Sequence, residues 1–374
     1  MTADNPATPF RAAVDGYFNP FGDGAANPHA VLAFIGSGSV AGLDRSRHYT
    51  LNLMIGGPIA RLPGGEVQIA VGGQLRRETF ASRTESLTGA QPVLSVSPDA
   101  ERAIAALFGE VRIPLVGEGN RRPGVERLEL WLAARFEDYD DFGSTTNPKL
   151  GLVWSPSETV RVRASYGASY RAPSLQQRSA PSVTSGTFLA REGGGQALVL
   201  YLYGGNPALK PETADTWTTG VDLRLGSATT LSLTYFDTRF DDRISQPVTE
   251  NLSTALIDPT LSPFVRFLDP AGDAADRALV TAYITAPDYP LGGQFPVESY
   301  QALVDGRWVN AASVIVRGLD VSGRTTITRG DQRIAAEASA SYLLDYKTRT
   351  TEAAPSIDAI GRVGRPQRLR ARAG

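Results

Sequence analysis

Residues 158–171, Glu-Thr-Val-Arg-Val-Arg-Ala-Ser-Tyr-Gly-Ala-Ser-Tyr-Arg, alternate so strictly that they constrain the surroundings the chain can occupy. Read as a strand, they place Val160, Val162, Ala164, Tyr166, Ala168 and Tyr170 on one face, and Arg161, Arg163, Ser165, Gly167, Ser169 and Arg171 on the other. One face suits lipid and the other water. A run of about 12 residues at ~3.3 Å each reaches ~40 Å, which at a tilt of ~40° covers the ~25 Å apolar band of an outer membrane. Globular strands average about 5 to 6 residues. Slipping the register by one residue would turn three arginines toward lipid, at roughly 2 to 4 kcal/mol each at the midplane and about 0 to 1 near an interface. These arginines lie near the strand ends, so the lower figure applies, yet every contribution has the same sign. Tyr166 and Tyr170 fall toward one end of the apolar face, where an aromatic girdle is expected. The segment reads as membrane-spanning.

Composition agrees with strands whose alternate residues face water. The 374 residues are 42% hydrophobic with a formal net charge of −2, too polar on average for a helical membrane protein and too apolar for disorder. No stretch approaches the ~20 consecutive apolar residues of a membrane helix, so a membrane location requires a closed barrel. The absence of cysteine removes disulfides, thiolate metal sites and cysteine nucleophiles. With 37 basic against 39 acidic residues, there is no bulk electrostatic footprint for nucleic acid. The amino terminus, Met1 to Phe10, lacks the basic region and apolar core of a signal peptide, so the chain reads as incomplete.

The alternation recurs along the chain. Val67, Ile69, Val71 and Leu75 oppose Gln68, Gln74 and Arg76; Leu128, Leu130, Leu132, Ala134 and Phe136 oppose Arg127, Glu129 and Arg135, with Trp131 pointing inward. Further strands are expected at Arg47–Gly56, Ile104–Leu115, Pro148–Trp154, Thr213–Leu225, Thr230–Phe240, Val314–Ile327 and Gln332–Tyr346, with the start of another at Gln367–Ala373. Tight turns rich in Gly, Pro, Ser and Asp at 154–158, 225–229 and 328–331 alternate with long connections near 79–103, 173–212 and 241–312. Short turns on one rim and long loops on the other are the build of an outer-membrane barrel. The expected class is therefore all-β, an antiparallel transmembrane β-barrel of which about ten to eleven strands are present. Residues 1–46 are expected to be a loop-rich segment, a candidate extracellular loop, and 47–374 the barrel portion.

Several of these runs resemble one known family. Asn147-Pro148-Lys149-Leu150-Gly151-Leu152-Val153-Trp154-Ser155-Pro156 is followed by Tyr170-Arg171-Ala172-Pro173-Ser174-Leu175 and, after a long loop, by Asn206-Pro207-Ala208-Leu209-Lys210-Pro211-Glu212-Thr213. Leu231–Phe236, Asp242–Ile244 and Arg317–Val321 add to the match. Together they resemble the barrel of TonB-dependent outer-membrane receptors, from about Tyr49 to the carboxyl end. That resemblance implies location in the outer membrane of a Gram-negative bacterium, among lipid and lipopolysaccharide. It also implies uptake of a scarce small-molecule ligand such as a ferric siderophore or another metal chelate, cobalamin, haem or a carbohydrate, energised by the TonB protein acting on a plug. Nothing in residues 1–47 resembles the plug or its TonB box, and plugged transporters have ~22 strands, so a fragment lacking the plug and the last strands is expected. The rivals are a soluble or surface β-structured binding protein and a passive porin-like barrel.

No catalytic constellation accompanies this architecture, and an enzyme, a cofactor or a resident metal is not expected. His29 and His48 lack the carboxylate spacing of a metal site, and Gly36-Ser37-Gly38-Ser39 is not a nucleophile elbow. The acidic group Glu137, Asp138, Asp140 and Asp141 lies where a strand meets an external loop and reads as a solvated tip; Asp237, Asp241 and Asp242 read the same way. Inward Arg135, Arg161 and Arg163 are expected to pair with a plug's carboxylates or with neighbouring Glu129 and Glu137, in preference to lining a path for an anionic cargo. Arg171 sits at the outer mouth beside the 173–212 loop, and the candidate ligand contacts are Arg171, Arg178, Tyr201 and Tyr203.

Overall fold

The computed structural model describes residues 16, 18–19, 21, 27–87, 93–97, 99–286, 289, 294–330, 332–362 and 364–374. Of the 1–46 segment, residues 1–15, 17, 20 and 22–26 lie outside the described residues, and its described end holds a short helix and the start of the first strand at Ser39. After α1 (His29–Gly36), the chain forms β1 (Ser39–Leu62), β2 (Gly65–Leu87), β3 (Val93–Val96), β4 (Ala100–Val116), β5 (Arg127–Tyr139), β6 (Gly143–Ser155) and β7 (Val160–Arg171). There follow α2 (Leu175–Ser179), β8 (Val183–Ala190), β9 (Gln196–Tyr203), β10 (Glu212–Leu225), β11 (Thr229–Ser245) and α3 (Pro247–Glu250). The remainder comprises β12 (Val265–Phe267), α4 (Ala274–Ile284), β13 (Tyr300–Asp305), β14 (Val309–Arg329), β15 (Gln332–Arg349), β16 (Ile357–Asp358) and β17 (Leu369–Ala373).

Two sheets result. The larger has the order β1-β2-β4-β5-β6-β7-β10-β11-β14-β15-β16, with β3 also on β2 and β17 also on β15, and its two outer edges are not joined to each other. Every neighbouring pair in it is antiparallel. This is the expected all-β architecture as an open portion of a barrel wall. Strands are longer than the alternation alone indicated: β1 spans 24 residues and β2 spans 23.

Register aligns the apolar alternation from strand to strand. Ile69, Val111, Leu132, Leu150, Tyr166 and Trp217 follow one another across β2, β4, β5, β6, β7 and β10. These outward side chains have no covering layer; Leu53 is 78% and Ile55 73% exposed. A water-soluble sheet would bury such a face. Tyr166 packs on Trp217 with ring centroids 4.6 Å apart, so part of the expected aromatic girdle forms. Tyr170 departs from it. The β6–β7 ladder ends at Lys149–Gly167, and beyond that point the Tyr170 hydroxyl reaches the Tyr139 hydroxyl at 2.5 Å instead of extending the outward row.

Turn lengths are less regular than expected. The β5–β6 connection, on the rim of the long loops, is only residues 140–142, whereas the β4–β5 connection on the other rim spans 117–126.

The long connections fold together. β8 and β9 from the 173–212 connection and β12 and β13 from the 241–312 connection make a four-stranded sheet, β12-β13-β9-β8, in which β13 and β9 run parallel. Apolar side chains cover both of its faces. Val199 and Val304 pack with Val248 and Leu261 on one side, and Leu198, Leu200 and Tyr300 pack with Val280 and Tyr289 on the other. Asp273 caps α4 by accepting from the amides of Ala275 and Asp276 at 2.7 and 3.3 Å, which fixes the helix over the second core. This unit is a cap standing on the long-loop rim.

Candidate functional site

The polar face of the wall is a ladder of ion pairs. Arg135 pairs with Glu137, and Glu129 receives Arg112 at 2.6 Å and Arg127 at 2.8 Å. Arg163 grips Asp222 with two hydrogen bonds and continues to Ser232 and Thr234 of β11. It crosses β10 at Gly220, where a Cβ would stand 3.0 Å from its Nη2. Arg112 lies over Trp131, placing that indole on the polar side, as the break in the β5 pattern predicted. Carboxylate partners thus satisfy Arg135 and Arg163 within the wall, whereas Arg161 makes no side-chain ion pair among the described residues.

Near the long-loop rim this ladder opens into a cavity of about 620 Å³, lined by His48, Arg76, Glu78, Arg102, Glu137, Tyr139, Tyr170, Arg171 and the first residues of α2. Arg102 is 4% exposed. It donates to Glu78 at 2.5 Å and to the Pro173 carbonyl at 2.9 Å. Glu78 also takes Arg76 at 2.9 Å, and His48 approaches it at 3.7 Å. The Tyr139 hydroxyl donates to Glu137 at 3.0 Å and meets Tyr170. Such a wall offers hydroxyls, aromatic edges and guanidinium groups to a polar solute, held in place by their own carboxylate partners.

The four residues expected to touch ligand occupy three places. Arg171 lines the cavity and makes a two-pronged pair with Glu212 at 3.0 and 2.6 Å; that carboxylate also accepts from the Ile244 amide. Arg178 lies beside the cavity, bound to the Leu209 and Asp141 carbonyls. Tyr201 and Tyr203 belong to the cap, stacked with centroids 5.3 Å apart. The Tyr201 ring is buried and its hydroxyl meets Thr249 at 2.8 Å, while Tyr203 is 38% exposed.

The acidic group at 137–141 is not a uniformly solvated tip. Alternation turns Glu137 inward to Arg135, and Asp141 is enclosed between Arg102 and Arg178 at 3.7 and 3.2 Å. Burial pushes the Asp141 carboxyl above its usual range against the pull of those two arginines. Burial raises the Tyr203 hydroxyl as well. Asp237 likewise finds a partner in Arg317 at 2.8 Å. Sequence reasoning missed Arg102 and Glu78. Their signal was the polar phase of β4 and β2, in which Arg76, Glu78 and Arg102 share the inward face.

Among the described residues no group of three or more His, Cys, Asp or Glu side chains is arranged to hold a metal ion, and no helix is long and apolar enough to cross a membrane.

A family model described as TonB dependent receptor-like, beta-barrel matches residues 6–374. The siderophore receptor PirA from Acinetobacter baumannii is similar with a TM-score of 0.50 and 16% identity, over 81% of this chain and 37% of that one. PirA from Pseudomonas aeruginosa gives 0.48 and 19%, over 82% and 44%. The RagAB peptide transporter gives 0.49 and 14%, over 84% and 31%. The chain spans less than half the length of these solved proteins. No curated protein matches it in sequence.

Proposed function

We propose, because this chain belongs to the family of TonB-dependent receptor β-barrels, that it forms part of the wall and the outer mouth of a receptor importing a scarce small molecule across the outer membrane of a Gram-negative bacterium. Family membership at this level speaks for receptors and transporters, not enzymes. The carrying observation is the two-faced wall: an uncovered apolar register row outside, an ion-paired polar face inside, and a cavity where that polar face meets the cap. It favours a barrel over a soluble binding protein, which would bury the outer row.

Energy is delivered through the TonB protein to a plug within the barrel. The cargo is a metal chelate such as a ferric siderophore, or cobalamin; polar chelates suit a cavity rich in guanidinium and phenol groups. Arg171 contacts cargo from the wall and Tyr203 from the cap, while Arg178 and Tyr201 shape the surface between them. Lipid and lipopolysaccharide surround the outer face.

The test is uptake of radiolabelled ferric chelates and cobalamin by cells expressing the full-length receptor, with and without TonB. Uptake of one of these that disappears without TonB is expected. Uptake that persists without TonB would mean a passive pore.

A further inference from the structure

Arg178 is 15% exposed and stands in α2, at the first foot of the segment 172–211 that carries β8 and β9 into the cap. Its Nη1 donates to the carbonyl of Leu209 at 2.9 Å, and its Nη2 to the carbonyl of Asp141 at 3.0 Å; its Nε lies 3.2 Å from the Asp141 carboxylate. Leu209, 2% exposed, belongs to the second foot of the same segment, and Asp141 to the β5–β6 turn of the wall. One guanidinium therefore ties both feet to each other and to a third element. Arg102 of β4 adds a second tie by donating to Pro173, and the Phe142 ring lies 5.9 Å from the Arg102 guanidinium and 6.0 Å from that of Arg178.

Beyond these feet the cap has its own two cores, so it is built to shift as one body on its attachments. The next residues of α2, Leu175 and Gln176, line the mouth cavity. Where α2 stands therefore sets the shape of the cavity's edge. Desolvation offsets much of the Coulomb attraction in an enclosed arginine–carboxylate pair, so such a contact specifies position more than it adds stability. Burial acting on Asp141 is consistent with that balance.

We propose that Arg178 is a strap that holds the cap against the wall, and that its release opens the mouth cavity to solutes. This rests on the cavity being the entry side of the receptor. Lysine cannot replace it, since the function needs two donors held in a planar fork beside the Asp141 carboxylate and not the charge alone.

These 374 residues contain no cysteine, so, with any cysteine elsewhere in the full-length receptor changed to serine, one introduced thiol reports one place. Ala172, at the cavity wall, is changed to Cys in the purified full-length receptor in detergent, and its rate of reaction with a polyethylene-glycol maleimide is measured. Glu192→Cys, exposed in the β8–β9 turn, serves as control. With Arg178→Gln or Arg178→Lys, labelling at 172 is expected to rise about tenfold, with labelling at 192 and amide protection at Val199 and Leu200 unchanged. Unchanged labelling at 172 overturns the proposal, as does a wild-type rate in the lysine variant. Lost protection at Val199 and Leu200 also overturns it, because Arg178 would then be holding the cap's fold and not its position. No cargo is needed, so failure here leaves the import reading standing, and failure of TonB-dependent uptake leaves this result interpretable.

Discussion

Arg163 of β7 and Asp222 of β10 form a two-pronged pair, Nε to Oδ2 at 2.8 Å and Nη2 to Oδ1 at 3.0 Å, that extends over Gly220 to Ser232 and Thr234 on β11. One guanidinium thus joins three adjacent strands on the polar face. Both partners are partly solvated, so Asp222→Ala should cost about 1 kcal/mol, near the upper end for open pairs. Gly220→Val should do comparable harm without removing a charge, because its side chain would displace the guanidinium. Unfolding of the full-length receptor in urea checks both. Equal stability of all three proteins would show that the three-strand contact is inert.

Neighbouring positions on β5 should respond oppositely to the same substitution. Leu132→Arg places a cation on the outward row and should cost roughly 2 to 4 kcal/mol, whereas Ala133→Arg, one residue on, faces the polar side and should be tolerated. Folding yield into lipid vesicles, read by resistance to protease, distinguishes them. Similar yields for the two would contradict the face assignment.

The cap should weaken in alkali. Tyr289 is 7% exposed with its hydroxyl 2.7 Å from that of Tyr300, and burial pushes its titration upward from the ordinary tyrosine value of about 10. The unfolded chain therefore releases this proton first. Stability from the pair is complete below pH 10 and falls as pH rises from there through the raised folded value. Amide protection at Val199 and Leu200 should decline over that window in the wild type and follow a flatter course in Tyr289→Phe. Parallel profiles would exclude Tyr289 as the source.

Exposed Tyr203 and paired Arg171 carry the proposed cargo contacts, and they should differ in kind. Tyr203→Ala should weaken cargo capture without altering the barrel, while Arg171→Ala should also leave Glu212, 6% exposed, with only the Ile244 amide and so destabilise the rim. Uptake affinity and thermal unfolding measured together separate the two. Identical behaviour of the variants in both measurements would contradict the distinction.

What the residues announced and what they concealed divide along burial. Strands with one wet and one lipid face declare themselves by period two, which is why the faces of Val160–Ala168 and Leu128–Phe136 were legible, and why Trp131 stood out. β9 has no such period. Ala197-Leu198-Val199-Leu200-Tyr201-Leu202 is apolar without interruption because both faces of its sheet are covered, and its parallel neighbour β13 is about a hundred residues away. A continuous apolar run inside an expected loop was the available clue. Tyr170 could not be placed by alternation, because the end of the β6–β7 ladder, which no local pattern encodes, releases it from the outward row. Arg178 was picked out by its position near the mouth, but its two partner residues, Leu209 and Asp141, come from the chain on either side, 31 and 37 residues distant.

The two-faced wall is tested most directly by tryptophan quenching in bilayers of brominated lipid. Variants of the full-length receptor retaining only Trp217 or only Trp131 are reconstituted and their fluorescence compared with that in unbrominated lipid. Trp217, on the outward row beside Tyr166, should be strongly quenched, and Trp131, on the polar face beneath Arg112, should not. Equal quenching of the two, or quenching of Trp131 alone, would contradict the assignment of faces from which the whole reading proceeds.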